Sequence, residues 1–265
     1  MRMKNGDVLE KVKFPSPNPS IDLFVVTYNV DGLRVKGLLA VPNDGKQYDG
    51  FLYLRGGIKN VGKVRPGRIV QFASEGFVVF APFYRGNQGG DGNEDFAGKD
   101  RMDAIAAYYL LDNLPNVLDV HVFGFSRGGV MALFVGIYCT VASVVTWGGV
   151  SDMTLTYEER EDLRRMMKRV IGGTPSKYPD EYKERTPLYY LANMQAPVLI
   201  IHGVQDKNVS VEHSYKLEKE LKKLNKEVET WFYEQYTHYF PPAINREVVT
   251  KLSKWMKNHT RIMLQ

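Results

Sequence analysis

The fold is decided by the stretch Val120-His121-Val122-Phe123-Gly124-Phe125-Ser126-Arg127-Gly128-Gly129-Val130-Met131-Ala132-Leu133-Phe134-Val135. Residues 120–123 predict a buried strand, and residues 130–135 predict the start of a buried helix. Between them, residues 124–128 match Gly-x-Ser-x-Gly. This short pattern is common by chance, but its position between a strand and a helix is typical of a nucleophile elbow, a sharp turn that exposes a reactive serine. Ser126 is therefore the candidate nucleophile.

Short apolar strands alternate with longer helical patterns along the chain. Strands are predicted at residues 22–30, 33–41, 51–54, 77–80, 119–123, 142–147, 197–202 and 227–233. Helices are predicted at residues 66–75, 99–113, 127–138, 211–224 and 243–258. The first two strands meet at Asp31-Gly32, a hairpin signal, and the later strands alternate with helices. We therefore expect an α/β-hydrolase fold, with a mostly parallel eight-stranded sheet and helices on both faces.

Residues 150–190 interrupt this alternation. They contain a charged helical pattern at residues 157–170, followed by Gly172-Gly173-Thr174-Pro175 and a stretch with proline and tyrosine. The segment lies between two predicted strands, on the side from which catalytic loops emerge. We expect a small helical cap over the site, and a surface insertion without a role in the site is the alternative.

Length and composition predict a single domain over residues 1–265. The chain is 44% apolar, enough for a large core, and its one cysteine, Cys139, excludes an intrachain disulfide. The first residues lack the apolar run of a signal peptide, and no stretch approaches the roughly 20 apolar residues of a membrane span. These features predict a cytoplasmic protein that does not bind membranes.

The net charge of +5 raises the question of nucleic-acid binding. Much of the basic charge falls in residues 158–170 and 216–226, where acidic residues are interleaved at helical spacing. This pattern favours solvent-facing helices, so we expect no nucleic-acid partner.

A serine nucleophile requires a histidine base, which follows the serine in this fold. His238 lies between the last predicted strand and the last predicted helix, where the fold delivers its base. Of the other histidines, His202 closes a predicted strand and is interpreted as structural, His213 is expected to be exposed near a helix start, and His259 lies in the tail. His238 is the candidate base.

The base in turn requires a carboxylate that orients it. Asp206 follows a predicted strand and the turn His202-Gly203, and in chain order it lies between the serine and the histidine. A turn or capping aspartate is the alternative interpretation. Asp152, after the preceding strand, is the competing candidate.

Two backbone N–H groups are expected to form an oxyanion hole. One belongs to Arg127, directly after the serine, and the other to Gly57 in the segment Arg55-Gly56-Gly57-Ile58. A plain Gly-Gly turn is the alternative for the latter. The sequence has no His-Glu-x-x-His motif or Cys/His cluster, so we expect neither a metal nor another cofactor.

These residues resemble the α/β-hydrolase domain of the prolyl oligopeptidase family, closest to its acylaminoacyl-peptidase-like branch. Besides the elbow, the matching segments are Arg55-Gly56-Gly57, Tyr84-Arg85-Gly86-Asn87-Gln88-Gly89-Gly90-Asp91-Gly92, Phe96-Ala97-Gly98-Lys99-Asp100 with Asp103 and Ala104, Ala196-Pro197-Val198-Leu199-Ile200-Ile201-His202-Gly203-Val204-Gln205-Asp206, and Thr237-His238. By this resemblance, Ser126, Asp206 and His238 form a catalytic triad.

The resemblance implies a serine hydrolase, but the chain departs from the family's pattern. Arg55 replaces a frequent histidine, and Thr237 replaces a frequent glycine. Only about 50 residues of the sequence come before Arg55, so we expect no β-propeller of the kind that filters substrates in the family's peptidases. We therefore expect a carboxylesterase acting on small esters. A peptidase of the prolyl oligopeptidase type, acting on short peptides, and a catalytically silent binding protein are the alternatives. The side chains of Arg55, Arg85 and Arg127 are expected either to attract acidic substrates or to be structural.

Overall fold

A nine-stranded sheet forms the centre of the computed structural model, which describes residues 3–260. In chain order the strands are β1 (Val8–Phe14), β2 (Ile21–Val30), β3 (Leu33–Pro42), β4 (Tyr48–Leu54), β5 (Phe77–Pro82), β6 (Val117–Phe125), β7 (Ser143–Trp147), β8 (Val198–Gly203) and β9 (Val228–Tyr233). Their order across the sheet is β1-β2-β3-β5-β4-β6-β7-β8-β9. The pairs from β1 to β5 are antiparallel, and every pair from β5 to β9 is parallel.

Helices cover both faces of the sheet. They are α1 (Pro66–Ser74), α2 (Arg101–Asp112), α3 (Gly128–Tyr138), α4 (Met153–Glu159), α5 (Glu161–Ile171), α6 (Pro179–Glu184), α7 (Glu212–Lys223) and α8 (Pro242–Asn258), with 3₁₀ turns at Pro187–Tyr189 and Leu191–Asn193. Within residues 3–260, no helix combines the length and the apolar character needed to cross a bilayer.

Two hydrophobic cores result from the alternation of side chains along the strands. In β4, Leu52 and Leu54 pack into the core on the side of α2, α3 and α7. Phe51 and Tyr53 of the same strand pack into the core on the side of α1 and α8. Successive residues of a strand point to opposite faces, so a strand between two helical layers is apolar throughout. The predicted α/β-hydrolase fold is confirmed.

The predicted count of eight strands is wrong by one, because β1 was not expected. This strand pairs with β2 at the edge of the sheet, and its side chains are mostly exposed, including Val8 at 48% and Val12 at 53%. An exposed edge strand with Lys11 and Lys13 lacks the apolar pattern that identifies a core strand, and such lysines protect a free edge from further pairing.

Residues 150–190 form a group of helices between β7 and β8. This segment is here called the cap after the role predicted from the sequence, which stays a prediction. The helix expected at residues 157–170 is interrupted at Arg160, where α4 ends and α5 begins. The backbone of Arg160 has φ −109° and ψ 80°, which is not helical, so α4 and α5 are separate helices.

Candidate active site

Ser126 lies on the turn between β6 and α3 in a strained backbone conformation. Its φ of 57° falls in the left-handed region of backbone conformation, which residues other than glycine rarely adopt. The Ser126 N–H donates to Trp147 O at 3.1 Å, and its carbonyl accepts from the N–H groups of Gly129 and Val150, each at 2.9 Å. These bonds to α3, to β7 and to the segment after β7 hold the turn in place.

The glycines of the elbow are required by close backbone contacts. A Cβ atom at Gly124 would overlap the carbonyl group of Gly128, and one at Gly128 would overlap the carbonyl oxygen of Leu54 in β4. The helix can therefore follow the strand this tightly only because both positions lack a side chain.

Asp206, in the turn after β8, uses its two carboxylate oxygens for different purposes. Oδ1 accepts from the N–H groups of Asn208 at 2.8 Å and Val209 at 3.0 Å, as a turn aspartate does. Oδ2 lies 2.6 Å from Nδ1 of His238. Both interpretations made from the sequence, the turn aspartate and the partner of the histidine, therefore apply to the same residue.

The electrostatic surroundings keep Asp206 ionised. Burial alone disfavours the charged form, but hydrogen bonds from His202, His238 and the Val209 N–H outweigh burial and hold the pKa of Asp206 well below its usual range. His202 itself is fully buried, with Nδ1 at 2.6 Å from Ser214 Oγ and Nε2 at 2.9 Å from Val209 O. It braces the turn, as the structural interpretation of this residue requires.

His238 lies in the loop after β9, at the wall of a large cavity. Its ring packs against Phe125, with the ring centroids 4.7 Å apart, and against Tyr239 at 5.0 Å. A cavity of about 1100 Å³ is lined by both Ser126 and His238. The structure thus brings Asp206 and His238 into contact and places the serine and the histidine on one cavity.

Asp152, the competing candidate for the orienting acid, binds other groups with both of its carboxylate oxygens. It precedes α4, and its Oδ1 accepts from the N–H groups of Thr154 at 2.9 Å and Leu155 at 3.1 Å, which caps the helix. Its Oδ2 lies 2.7 Å from Lys216 Nζ. The structure therefore gives Asp152 a capping role and no contact with His238.

The expectation that His213 is exposed is wrong. This residue lies in the first turn of α7 and is only 1% exposed, because the segment after β7 covers it. Its Nδ1 faces the N–H groups of Ser151 at 3.2 Å and Asp152 at 3.3 Å and accepts from them, so the ring proton sits on Nε2. Burial lowers the pKa of His213 to about 4. The ring also lines the cavity, a position that the pattern of α7 alone could not reveal.

The Arg55-Gly56-Gly57-Ile58 segment, here called the oxyanion loop, lies directly against the nucleophile. A Cβ atom at Gly56 would lie 2.6 Å from Ser126 Cβ and 3.2 Å from its Oγ, so only glycine fits. Gly57 has φ +67°, and a Cβ there would overlap Val61 O. Gly57 and Arg127 both line the cavity with Ser126, as the predicted oxyanion donors must.

A buried carboxylate that the sequence analysis missed connects these two parts of the site. Glu94 Oε1 accepts from Arg55 Nη2 at 2.9 Å and from the Lys59 N–H at 2.8 Å, and Oε2 forms an ion pair with Arg127. Burial disfavours its charge, but the guanidinium groups of Arg127 and Arg55 lower the pKa of Glu94 below its ordinary value. In the sequence, Glu94 stands among polar loop residues, and nothing local indicates that it is buried.

The three arginines considered in the sequence analysis are all paired with internal carboxylates. Arg55 and Arg127 share Glu94, and Arg85 binds Asp103 through Nε and Nη2 at 2.9 and 2.8 Å. Arg127 also forms an ion pair with the buried Asp100 at 3.6 Å. Each of the three guanidinium groups thus faces at least one internal carboxylate, which agrees with the structural interpretation and not with attraction of an acidic substrate.

The rest of the cavity wall contains both aromatic residues and residues of the cap. Aromatic side chains line one part of it, and residues of the cap line another, including Thr156 and Leu163. Among residues 3–260, no group of three or more His, Cys, Asp or Glu residues is placed to hold a metal ion.

The amino-acid sequence is similar to a protein family and to a bacterial relative. Residues 64–262 match the model of the prolyl oligopeptidase family. The chain is 64% identical over 255 residues to a Bacillus subtilis (strain 168) protein described as "Uncharacterized peptidase YtmA", which covers 95% of this chain and 99% of that protein.

Solved structures share the fold at low identity. An acylaminoacyl peptidase of Pyrococcus horikoshii superposes with a TM-score of 0.75 at 20% identity, covering 95% of this chain and 41% of that one. Acetyl xylan esterase 1 of Thermoanaerobacterium sp. JW/SL YS485 superposes with a TM-score of 0.76 at 15% identity, covering 96% of this chain and 90% of that one. The chain thus spans about two fifths of the peptidase and nine tenths of the esterase, and at these identities the likeness concerns the fold.

Proposed function

The chain belongs to the prolyl oligopeptidase family and is a serine hydrolase, and we propose that it cleaves short peptides through an acyl-enzyme on Ser126. One observation carries the proposal: a serine on a strained turn shares a cavity with His238, whose Nδ1 lies 2.6 Å from a buried carboxylate of Asp206. Nucleophile, base and orienting acid are the parts that acyl transfer by a serine requires.

In the proposed reaction, Ser126 Oγ attacks the carbonyl carbon of the substrate while Nε2 of His238 takes the hydroxyl proton. Asp206 holds the ring with its proton on Nδ1 and stabilises the imidazolium that forms. The N–H groups of Gly57 and Arg127 stabilise the oxyanion. Collapse of the tetrahedral intermediate expels the amine, which takes the proton from His238, and leaves the acyl group on Ser126.

A second half-reaction releases the acyl group. Water gives a proton to Nε2 of His238 and attacks the acyl carbon, and the carboxylic acid leaves when Ser126 Oγ regains that proton. The proton that departs with the amine is replaced by the one that water supplies, and no reactant other than water is needed.

We propose peptides before esters as the substrates because the 64% identical relative is described as a peptidase. Carboxylic esters are the second candidate, since the same groups cleave both bonds and the chain matches nine tenths of the length of an acetyl xylan esterase. Esters are less well supported than peptides, because the likeness to the acetyl xylan esterase is one of fold alone.

The test compares aminoacyl-p-nitroanilides with p-nitrophenyl acetate, butyrate and octanoate, for wild type and Ser126→Ala. Ser210→Ala, which removes a hydroxyl bound to Glu159 in the cap, is the matched control. Loss of the nucleophile should lower kcat by roughly 10⁶-fold. Anilide turnover that depends on Ser126 supports the peptidase, and ester turnover alone supports the second candidate. Activity unaffected by Ser126→Ala, or no turnover of either class, contradicts the mechanism and favours a binding role.

A further inference from the structure

We propose that the α1 side of the cavity is a carboxylate-binding subsite, in which Arg68 recognises an anionic group carried by the substrate. The inference rests on the proposed function, because it assigns a substrate class to the same cavity. Arg68 lies in α1, is half-buried, and lines the cavity together with Ser126 and His238.

The guanidinium of Arg68 is held firmly, but only by neutral groups. Nη1 donates to Gln71 Oε1 at 2.9 Å and to Asn245 Oδ1 at 2.7 Å. The group also lies over the rings of Phe72, at 4.6 Å, and Trp147, at 5.8 Å. These contacts fix the orientation of the planar group without neutralising its charge.

Arg68 differs in this respect from the other arginines that line the cavity and are at least partly buried. Arg55 and Arg127 are paired with Glu94, and Arg160 binds Asp162. Within residues 3–260, Arg68 forms no ion pair, and its Nε and Nη2 atoms donate to no protein acceptor. Two donors of a rigid fork are therefore free to bind a ligand.

The charge of the surrounding wall favours an anion. Lys63 and Arg65, next to α1, also line the cavity and form no ion pair within the described part of the chain. Among the described residues that line the cavity, the one carboxylate is that of Glu159 in the cap, where it accepts from Ser210 Oγ at 2.7 Å. None of these described lining residues on the α1 side is acidic.

A carboxylate is the anion that best fits this arrangement. The guanidinium fork binds a carboxylate with two parallel hydrogen bonds, and partial burial among aromatic rings strengthens the attraction. The carboxylate could belong to the acyl part of the substrate, as in an acidic side chain, or to the leaving group, as in the C-terminus of a short peptide.

Two pairs of substrates test the inference and distinguish these sources. The first pair is the p-nitrophenyl monoester of glutaric acid and the corresponding ester of its monoamide, which place a carboxylate or a neutral amide on the acyl part. The second pair is the dipeptide alanylalanine and its C-terminal amide. For each pair, the ratio of kcat/KM, anionic over neutral, is measured in wild type, Arg68→Gln and Arg68→Lys. Arg169→Gln, which removes a charge from the exposed face of α5, is the control.

We expect at least one ratio to fall about 10- to 100-fold in Arg68→Gln, because a charged hydrogen bond is lost. The fall should be smaller in Arg68→Lys, which keeps the charge, and absent in Arg169→Gln. A fall in the first pair alone places the subsite on the acyl side, and a fall in the second pair alone places it on the leaving-group side. Because each ratio compares isosteric substrates on one variant, a general loss of folding cancels. Ratios that do not change in either pair overturn the inference.

Failure of the proposed function is detected separately. If no substrate is hydrolysed, glutaric acid monoamide is titrated calorimetrically into Ser126→Ala and into Ser126→Ala combined with Arg68→Gln. Binding that weakens about tenfold or more in the double variant supports the subsite even though the catalytic proposal has failed. Equal binding, or no binding to either protein, overturns it.

Discussion

Nδ1 of His238 lies 2.6 Å from Oδ2 of Asp206, although 32 positions separate the two residues in the chain. The contact forms because β8 and β9 are parallel neighbours, so the loops after them emerge at the same edge of the sheet. Backbone N–H groups bind the other carboxylate oxygen of Asp206 and immobilise the side chain. The carboxylate therefore sets the orientation of the His238 ring. The carboxylate thus decides which nitrogen of His238 carries the proton.

Replacement of Asp206 by asparagine should remove most of the activity without unfolding the protein. The amide oxygen can still accept from the N–H groups of Asn208 and Val209, whereas the amide nitrogen would face Nδ1 of His238 as a donor. The ring would then carry its proton on Nε2 and could not accept the proton of Ser126. We expect kcat to fall about 10⁴-fold with little change in KM, measured by steady-state kinetics.

Asp152→Asn is the matched control for this variant. Asp152 also follows a strand and also binds backbone N–H groups, but it caps α4 and does not contact His238. Its kcat should stay within a few-fold of wild type. A similar loss in both variants, or less than a tenfold loss in Asp206→Asn, would contradict the assignment.

Replacement of Glu94 by glutamine should weaken stabilisation of the oxyanion. Glu94 holds the oxyanion loop through Arg55 and Lys59 and holds the residue after the nucleophile, Arg127, with its other oxygen. Loss of one oxyanion donor typically costs 100- to 1000-fold in rate, so misplacement of the donors should lower kcat by about 10- to 1000-fold. KM should change much less, because the donors act on charge that develops in the transition state.

The variant will also be less stable, since removal of one member of a buried ion pair costs about 3–5 kcal/mol. Asp103→Asn separates the two effects. It breaks a comparable buried pair with Arg85, which is not part of the cavity wall. We expect similar losses in denaturant unfolding for both variants, but a large loss of kcat per folded molecule only for Glu94→Gln. Equal losses of kcat would mean that Glu94 acts through general stability.

The fold could be predicted because its main signals are local. Buried strands of a parallel sheet are apolar along their whole length, and the elbow carries its own strand, glycines and helix within residues 120–135. The strand β1 and the break at Arg160 were missed for the opposite reason. β1 has almost no buried side chain, and Arg160 continues an amphipathic pattern without proline or glycine, so neither produces a local signal.

The site was predictable where a motif marks a residue and unpredictable where only distant partners do. Ser126, Asp206 and His238 follow strands in the order this fold requires, and their catalytic roles remain predictions. Glu94 lies 39 positions from Arg55, and His213 lies 62 positions from Ser151, so no sequence spacing connects them. Burial of both depends on how separate loops assemble above the sheet, which the pattern of either segment does not contain.

Alanine at position 56 should reduce activity strongly. A Cβ there would lie 2.6 Å from Cβ of Ser126, so the oxyanion loop or the elbow must shift. Because small misplacements of reacting groups cost on the order of 100-fold, we expect kcat to fall at least that far. Gly67→Ala is the control, because nothing lies within 4 Å of a Cβ at that position in α1 and the change should stabilise the helix by about 0.5–1 kcal/mol. Wild-type kinetics for Gly56→Ala would contradict the close approach.

Replacement of His213 by asparagine should make the protein less sensitive to acid. Burial lowers the pKa of His213 in the folded protein from 6.5 to about 4, so between these values the unfolded chain binds a proton that the folded protein does not. The contribution of the neutral His213 ring to the free energy of unfolding is therefore fully present above pH 6.5 and is lost as the pH falls toward 4. This loss of stability amounts to about 2 kcal/mol between pH 7 and pH 5. Asparagine keeps an acceptor for the N–H groups of Ser151 and Asp152 but does not titrate. Urea unfolding at pH 5, 7 and 8.5 should show that the loss of stability from pH 7 to pH 5 is smaller in His213→Asn by this amount, while the curves run parallel above pH 7. An identical loss in both proteins would mean that His213 titrates alike in the folded and the unfolded state.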